Sequence, residues 1–327
     1  MTPLSEHRHQ AALVLVFCCA CWAFSFPAMK ALEMVGQRTT PGNSSFFFAN
    51  LCVAYRFAAA ALILLIFNPR RLQKLTRSEF RQGIGIGLFG ACGLVLQMDG
   101  MAYTHASTCA FLTQGYCVWL PIWFALRHRR WPAGIVLAAS ALVLLGGAIL
   151  AGVDLRHLRL GRGEWETLAG SVMFTGQILW LERPEFRGND VIRFSWVMFV
   201  TLALVTFPVA ALTAHEFTHV WSAFQSPYAL GLLAILVVPC TLVAFLLANR
   251  WQPEVPATEA GLLYSTEPVF TSAVSLVIPA WISVWSGVNY PNEHLTPNLL
   301  IGGGLILTAI VMLQLHAART HPSGSST

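Results

Sequence analysis

The chain has 327 residues, of which 56% are hydrophobic and only 11% are charged. A soluble protein of this length carries far more charge, so the composition indicates a polytopic membrane protein. The formal net charge of +5 is therefore not a sign of nucleic-acid binding, and we attribute it to basic loops beside apolar segments.

Apolar runs of about 20 residues, the length of a helix that crosses a bilayer, recur along the whole chain. The predicted spans are 11–30, 46–67, 83–103, 107–127, 132–152, 165–182, 190–213, 227–248, 256–281 and 297–316. The sequence therefore predicts an all-α membrane protein with ten transmembrane helices.

Lysine and arginine are distributed unevenly between the two sets of connections. The termini and the even-numbered connections hold 14 of these residues and the odd-numbered connections hold five, while Arg56 lies within a span. Because positive charge accumulates on the cytoplasmic side, we expect a multi-pass protein of the cytoplasmic (inner) membrane with both termini in the cytoplasm. The connection 153–164 runs against this bias, since it contains three arginines.

The two halves of the sequence are weakly similar to each other. A shift near 151 residues superposes Leu112 on Leu263 and Tyr116 on Glu267. Each half contains five predicted spans, and an odd number gives the halves opposite orientations, which is the inverted-repeat plan of many secondary transporters. The predicted units are a first five-helix repeat at 1–152, a second at 153–316 and a short cytoplasmic tail at 317–327.

The ninth predicted span carries Glu267 and Pro268 near its middle. At 1.5 Å per residue, Glu267 lies about 16 Å deep, near the midplane of the bilayer. A carboxylate there costs at least about 2.5–3.5 kcal/mol unless it faces protein, water or a partner. A proline also removes a backbone donor and kinks the helix, so we predict a polar cavity with Pro268, and Pro121 in the fourth span, as hinges.

Glu267 is the predicted proton-binding residue, because burial disfavours the charged form of a carboxyl group and lets it exchange protons near neutral pH. Arg56 and Asp99 are two further charges within predicted spans. They either satisfy each other as a structural ion pair, or Arg56 meets an anionic substrate group while Asp99 or Glu267 exchanges protons. The other predicted cavity residues are polar or aromatic and fit an apolar pocket with a few polar groups: Trp22, Gln97, Gln114, Tyr116 and Tyr264.

Several short motifs are spread over nearly the whole chain. They are Trp22-Ala-Phe-Ser-Phe-Pro27-Ala-Met-Lys30, Arg56-Phe57 with Ala60, Ala102-Tyr103-Thr104, Ala110-Phe111-Leu112-Thr113 with Pro121, Gly163-Glu164, Glu267-Pro268-Val269-Phe270, and Glu293 to Thr296 followed by Gly302 to Leu307. In these motifs the chain resembles the EamA-type transporters of the drug/metabolite transporter superfamily. The resemblance implies ten helices in two five-helix repeats and a carrier of amino acids, related metabolites or drugs.

One motif points to a different class of protein. His215-Glu216-Phe217-Thr218-His219 is His-Glu-x-x-His, which on a helix binds zinc with two imidazoles and uses the glutamate as a general base. The stretch follows the seventh span in a short connection, and no third ligand is evident. A membrane-bound zinc peptidase is therefore the alternative function, and a non-transporting scaffold or sensor is a third.

The sequence as a whole predicts a transporter and not an enzyme, with no cofactor and no metal. The expected activity is export of small metabolites, such as amino acids or related amphipathic compounds, by alternating access. Proton exchange is the expected coupling, and a facilitator without ion coupling is the alternative. The expected partners are a small-molecule substrate, the lipid bilayer and protons but no nucleic acid, and the protein is expected to be a monomer or homodimer.

Overall fold

The computed structural model describes residues 3–129, 131–150 and 160–320, and no β-strand occurs among them. The predicted boundary between the two units, at 152/153, and the last part of the predicted tail, 321–327, lie outside these residues. The α-helices are α1 (Pro3–Ala23), α2 (Ser25–Thr39), α3 (Ser45–Phe67), α4 (Pro69–Leu72), α5 (Arg77–Tyr103), α6 (Ala106–Thr113), α7 (Tyr116–His128), α8 (Gly134–Leu150), α9 (Arg162–Leu181), α10 (Val191–Thr213), α11 (His219–Ser222), α12 (Pro227–Val237), α13 (Ala244–Trp251), α14 (Ala257–Tyr264), α15 (Glu267–Ser275), α16 (Ile278–Ser286) and α17 (Pro297–Thr320).

Within the described residues, each predicted span overlaps one helix or consecutive helices that are separated by a short interruption. Six helical stretches are long and apolar enough to cross a membrane: His7–Thr39, Ser45–Phe67, Arg77–Tyr103, Ala106–His128, Val191–Thr213 and Pro227–Glu254. The stretch from α14 to α16 is a seventh if it is counted as one bent span, and α8 and α17 contain shorter apolar helices. The described residues thus confirm an all-α membrane protein with six or seven candidate spans.

Side-chain caps fix where several of these helices begin. Thr76 and Glu79 form a capping box at the start of α5, and Ser44 accepts a hydrogen bond from the Phe47 N–H at the start of α3. Asp190 accepts from the Arg193 N–H, 3.1 Å away, at the start of α10. These short polar residues satisfy N–H groups that have no partner within their helix.

The connections lie at two ends of the bundle. At the terminal end, where the chain starts, Arg8 forms an ion pair with Glu259. At the opposite end, which we call the distal end, Arg38 donates a hydrogen bond to the Gly287 carbonyl oxygen, 2.7 Å away. The helical stretch His7–Thr39, made of α1 and α2, runs from the terminal end to the distal end.

Glycines bring α5 and α9 into direct backbone contact. A Cβ atom added to Gly163 would lie 2.5 Å from the carbonyl oxygen of Gly100, and one added to Gly100 would lie 2.7 Å from that of Gly163. Such close approach is how membrane helices gain packing energy without a hydrophobic driving force. The α5–α9 contact is one of the most extensive in the bundle, together with α3–α10 and α8–α17.

Two segments are interrupted at matching positions. Gln114 and Gly115 separate α6 from α7, and Ser265 and Thr266 separate α14 from α15. The two interruptions are 151 residues apart, as the predicted internal shift requires. They also lie together in space, since α6 packs against α15 and α7 packs against α14.

The predicted prolines are not themselves the points of sharp bending. Pro121 lies inside the continuous helix α7, and Pro268 lies in the first turn of α15, where the missing N–H would have no helical partner. The ninth segment bends instead by 52° between α15 and α16, at Leu276 and Val277. A further irregularity is a π-helical turn at Val238–Val243.

Candidate substrate site

A cavity of about 90 Å³ lies beside the two helix interruptions. Six of the predicted site residues line it: Trp22, Arg56, Gln97, Tyr116, Tyr264 and Glu267. The other lining residues are Ser25, Leu94, Thr113, Phe174, Gln177, Ile178, Leu181, Phe245, Ala248, Asn249 and Gln252. The surface of the cavity is mostly apolar, as in most substrate sites, although eight of the 17 lining residues are polar or charged.

Glu267 is 7% exposed and stands at the first position of α15. Its carboxylate accepts a hydrogen bond from the side-chain amide of Gln114 over 3.4 Å, and the Tyr116 hydroxyl donates to the amide oxygen of Gln114 over 2.5 Å. Gln114 is therefore brought to the site through these contacts. Within the described residues no ion pair involves Glu267, which leaves the acid available to a proton or to a cationic group.

Arg56 is 2% exposed and is bound by the π-helical turn. Its Nε donates to the Thr241 hydroxyl over 2.5 Å, and its Nη2 donates to the Cys240 carbonyl oxygen over 2.9 Å. A π-turn hydrogen-bonds from residue i to i+5, and such turns are frequent at functional sites. The Thr241 hydroxyl itself donates to the Leu236 carbonyl oxygen, 2.8 Å away.

The ion pair between Arg56 and Asp99, one of the two interpretations of these charges, does not occur among the described residues. Asp99 lies outside the cavity near the distal end, where Arg162 donates to its carboxylate over 2.5 Å and Ser45 donates over the same distance. The charge of Arg56 has no carboxylate partner among the described ion pairs. Asp99 instead joins α3, α5 and α9.

Aromatic rings form one wall of the cavity. Trp22 lies edge-on to Tyr264, with ring centroids 5.5 Å apart, and to Phe245 at 5.3 Å. The Tyr264 hydroxyl donates to the Gln252 side chain over 2.9 Å. The indole nitrogen of Trp22 is buried without a hydrogen-bond partner in the described structure, so it can donate to a bound molecule.

Sequence reasoning missed several residues of the site. Thr241 could not be identified from the sequence, because threonine is common in apolar spans. Its contact with Arg56 depends on a π-helical turn, which the sequence does not predict. Asn249 and Gln252 follow directly after the apolar run 227–248, and the helical segment extends over them. These two side-chain amides at the end of an apolar run could have indicated that the site extends to this segment.

A wider vestibule lies at the terminal end next to the cavity. Leu181 and Asn249 line both spaces. The vestibule is also lined by charged residues, among them Arg183, Arg250 and Glu254. The cavity therefore adjoins the terminal end of the bundle.

The His-Glu-x-x-His motif does not have the geometry of a zinc peptidase. Residues 214–218 are not helical, and α11 begins only at His219. The Nδ1 atom of His219 is 2.8 Å from the Asn43 side-chain nitrogen, and the Asn43 oxygen accepts from the His215 N–H. No cluster of three or more His, Cys, Asp or Glu residues suited to a metal occurs among the described residues.

Comparison with known proteins indicates a membrane transporter, the same class of protein that the cavity suggests. Residues 9–152 match the EamA-like transporter family. The chain is 26% identical over 314 residues to an uncharacterized transporter of Archaeoglobus fulgidus, covering 94% of this chain and 87% of that protein. A solved crystal structure shares the fold with a TM-score of 0.66 at 14% identity, covering 96% of this chain and 99% of the other. These matches support an EamA-type transporter rather than an enzyme.

Proposed function

We propose that the protein is a secondary transporter of the cytoplasmic membrane that exports small amphipathic metabolites, such as amino acids, by alternating access. The observation that carries this proposal is the meeting of two interrupted helices at the buried carboxylate of Glu267, inside a cavity that also contains Arg56. Charged groups are expensive within a membrane and mark substrate or ion paths.

The proposal includes ten transmembrane helices in two inverted repeats, at 1–152 and 153–316, with a cytoplasmic tail at 317–327 and both termini in the cytoplasm. The packing pattern supports it, because α3 packs against its counterpart α10 and α8 against its counterpart α17. A two-fold relation between repeats brings equivalent helices into contact where they lie next to the axis.

The chemistry of the cavity supports a solute with an anionic group, a cationic group and an apolar body. The guanidinium of Arg56 has a positive charge without a carboxylate partner in the described ion pairs, and it is suited to a carboxylate. Glu267 has the opposite charge when it is ionised, and Trp22, Phe245 and Tyr264 offer ring surfaces to the apolar part.

Proton exchange is the proposed energy source, with Glu267 as the residue that binds the proton. Its one described hydrogen-bond donor is the neutral amide of Gln114, so no fixed cation holds the carboxylate in its charged form. A proton and a cationic solute group would then compete for the same carboxylate, which couples the two fluxes. The protein works in this way as a monomer or as a homodimer.

The test is uptake of radiolabelled amino acids and related metabolites into proteoliposomes, with and without a pH gradient. We expect at least one compound to be transported and its accumulation to depend on the gradient. Glu267→Gln should fold normally but lose the pH dependence. Glu185→Gln is a matched control, because Glu185 lies in the loop after α9 with its side chain 48% exposed.

Two outcomes would contradict the proposal separately. If Glu267→Gln transported the compound at the same rate as the unmodified protein at every pH, Glu267 would not be the residue that binds the proton. A complete lack of transport across the panel by folded, unmodified protein would exclude the proposed substrate class.

A further inference from the structure

Three hydroxyl groups on α15 are buried without any partner. Thr271, Ser272 and Ser275 are at most 1% exposed, and none of their hydroxyls has a hydrogen bond within the described residues. Serine and threonine in helices commonly donate to the carbonyl oxygen four residues earlier, as Thr206 does on α10. We call these three residues the hydroxyl row. Their burial costs free energy, because the hydroxyl groups lose their hydrogen bonds to water and gain none within the described protein.

The row continues from the cavity. Glu267, Thr271 and Ser275 are spaced four residues apart, which places them along one face of α15. Glu267 lines the cavity, whereas the carbonyl oxygen of Ser275 accepts a hydrogen bond from the Glu293 N–H over 2.9 Å. Glu293 belongs to the connection between α16 and α17 at the distal end, so the row leads from the cavity to that end.

Charged residues stand where the row ends. Lys30 donates to the Thr104 carbonyl oxygen over 3.2 Å and interacts electrostatically with Glu33 and Glu293. The thiol of Cys109 on α6 lies 3.4 Å from the carbonyl oxygen of Gln97 and 3.5 Å from the hydroxyl of Thr167. Polar groups thus extend from the cavity to the distal end through an otherwise apolar bundle.

This polar route is closed in the structure, whereas the cavity lies next to the vestibule on the other side. The cavity adjoins the vestibule of the terminal end through Leu181 and Asn249, but the hydroxyl row is packed without exposure to solvent. A transporter that works by alternating access needs a second path to the opposite side. Hydroxyl groups that are dry and unpaired in one state would gain water in that second state.

We infer that the hydroxyl row lines the distal half of the solute path, and that its ligands are water and the polar groups of the passing solute. The inference rests on the proposed function, because it assigns the side of the path that the transporter must open. Opening relieves the unpaired hydroxyls, so the row also lowers the free energy of the state open at the distal end.

The test is thiol accessibility in sealed membrane vesicles of each orientation, probed with a small, membrane-impermeant cationic thiol reagent. Thr271→Cys and Ser275→Cys are compared with Thr206→Cys, whose parent hydroxyl is equally buried but paired within its own helix. The reaction of the eight native cysteines is measured in the unmodified protein and subtracted. Asn249→Cys is the positive control from the terminal side.

We expect reagent added at the distal side to modify the two row cysteines at least about tenfold faster than Thr206→Cys, because even a minor open state exposes them. Equal rates for all three variants would overturn the inference, and so would modification of the row from the terminal side alone. Cysteine differs from serine by one atom, so Ser275→Cys keeps the test decisive should Thr271→Cys fail to fold.

The assay needs no transported compound, which separates it from the test of the proposed function. Distal labelling without transport of any compound in the panel would refute the proposed substrate class and leave the path in place. Transport without distal labelling would refute the path and leave the proposed function in place.

Discussion

Arg56 donates a hydrogen bond from Nη2 to the Cys240 carbonyl oxygen over 2.9 Å, which ties α3 to the π-helical turn between α12 and α13. Thr241, the next residue of that turn, accepts from Nε of the same guanidinium. A π-turn is less stable than regular α-helix in isolation. The buried cation therefore stabilises the turn, and the turn in return holds the cation at the cavity.

Thr241→Val should destabilise the protein by about 1.5–3 kcal/mol, because it leaves a buried, charged donor of Arg56 unpaired. In the Arg56→Lys background the same change should cost less, since the paired donor is already lost. Thermal unfolding of the four proteins in detergent measures the coupling. Thr206→Val, which removes a hydroxyl bonded only within α10, should cost under about 1 kcal/mol. If the effects of Thr241→Val and Arg56→Lys on stability were additive, Arg56 and Thr241 would not be coupled and the prediction would be wrong.

The ion pair of Asp99 with Arg162 should respond asymmetrically to substitution. The side chain of Asp99 is 2% exposed and that of Arg162 is 52% exposed. Arg162→Leu leaves a buried carboxylate that keeps only the hydroxyl of Ser45, so we expect a loss of about 2–4 kcal/mol, less than for a fully buried pair. Asp99→Asn leaves a solvated arginine and should cost about 1 kcal/mol. Unfolding temperatures check the order, and a larger loss for Asp99→Asn would contradict it.

Asp190 at the terminal end should contribute to the free energy of unfolding by an amount that depends on pH. Burial alone would raise the pKa of Asp190, but the hydrogen bonds from Arg71 and from the Arg193 N–H, with both positive charges, lower it overall. A group with a lowered pKa in the folded state stabilises at pH values above its unfolded pKa and loses this contribution as the pH falls through the folded value.

Asp190→Asn should therefore be less stable than the unmodified protein by about 0.5–1 kcal/mol at neutral pH, because Arg71 is half-exposed. The difference should shrink as the pH falls below about 5 and through the lowered pKa of Asp190 in the folded protein, where the unmodified carboxylate also becomes protonated. Asparagine keeps the acceptor that caps α10, so the comparison isolates the charge. Unfolding temperatures across this range test it, and a constant difference would refute the titration of Asp190 as its cause.

Removing an unpaired hydroxyl from the row should stabilise the closed state. Thr271→Val keeps the shape of the side chain and removes a buried group without a partner, so we expect a gain of about 1–2 kcal/mol for the state seen here. The same change should slow distal labelling of Ser275→Cys by about tenfold, since it shifts the population away from the distal-open state. A lower unfolding temperature for Thr271→Val would show that its hydroxyl is paired after all.

The positions of the helices were predictable because each apolar run is close to the thickness of a bilayer. The register of the two interruptions was predictable too, since the shift that superposes Tyr116 on Glu267 also brings Gly115 onto Thr266. The hydrogen-bond and ion-pair partners of the buried charged residues were not predictable from the sequence. Arg56 is satisfied by a carbonyl group and a hydroxyl far along the chain, and neither type of group stands out in an apolar run.

Proline was a misleading guide to the bends. Pro268 sits in the first helical turn of α15, where proline is tolerated, and the 52° bend comes at Leu276 and Val277. The partner of Asp99 was not predictable for a different reason. Its partner Arg162 lies in a connection that the charge count treated only as part of a loop, and sequence distance gave no hint that the two meet.

The contact of Gly100 with Gly163 leaves α5 and α9 no room to slide past each other without a steric clash. These two helices should consequently travel as one rigid body whenever the transporter changes state. Spin labels on the outer surfaces of α5 and α9 would then report a single unchanging separation, whereas a pair placed on α6 and α15 would report two.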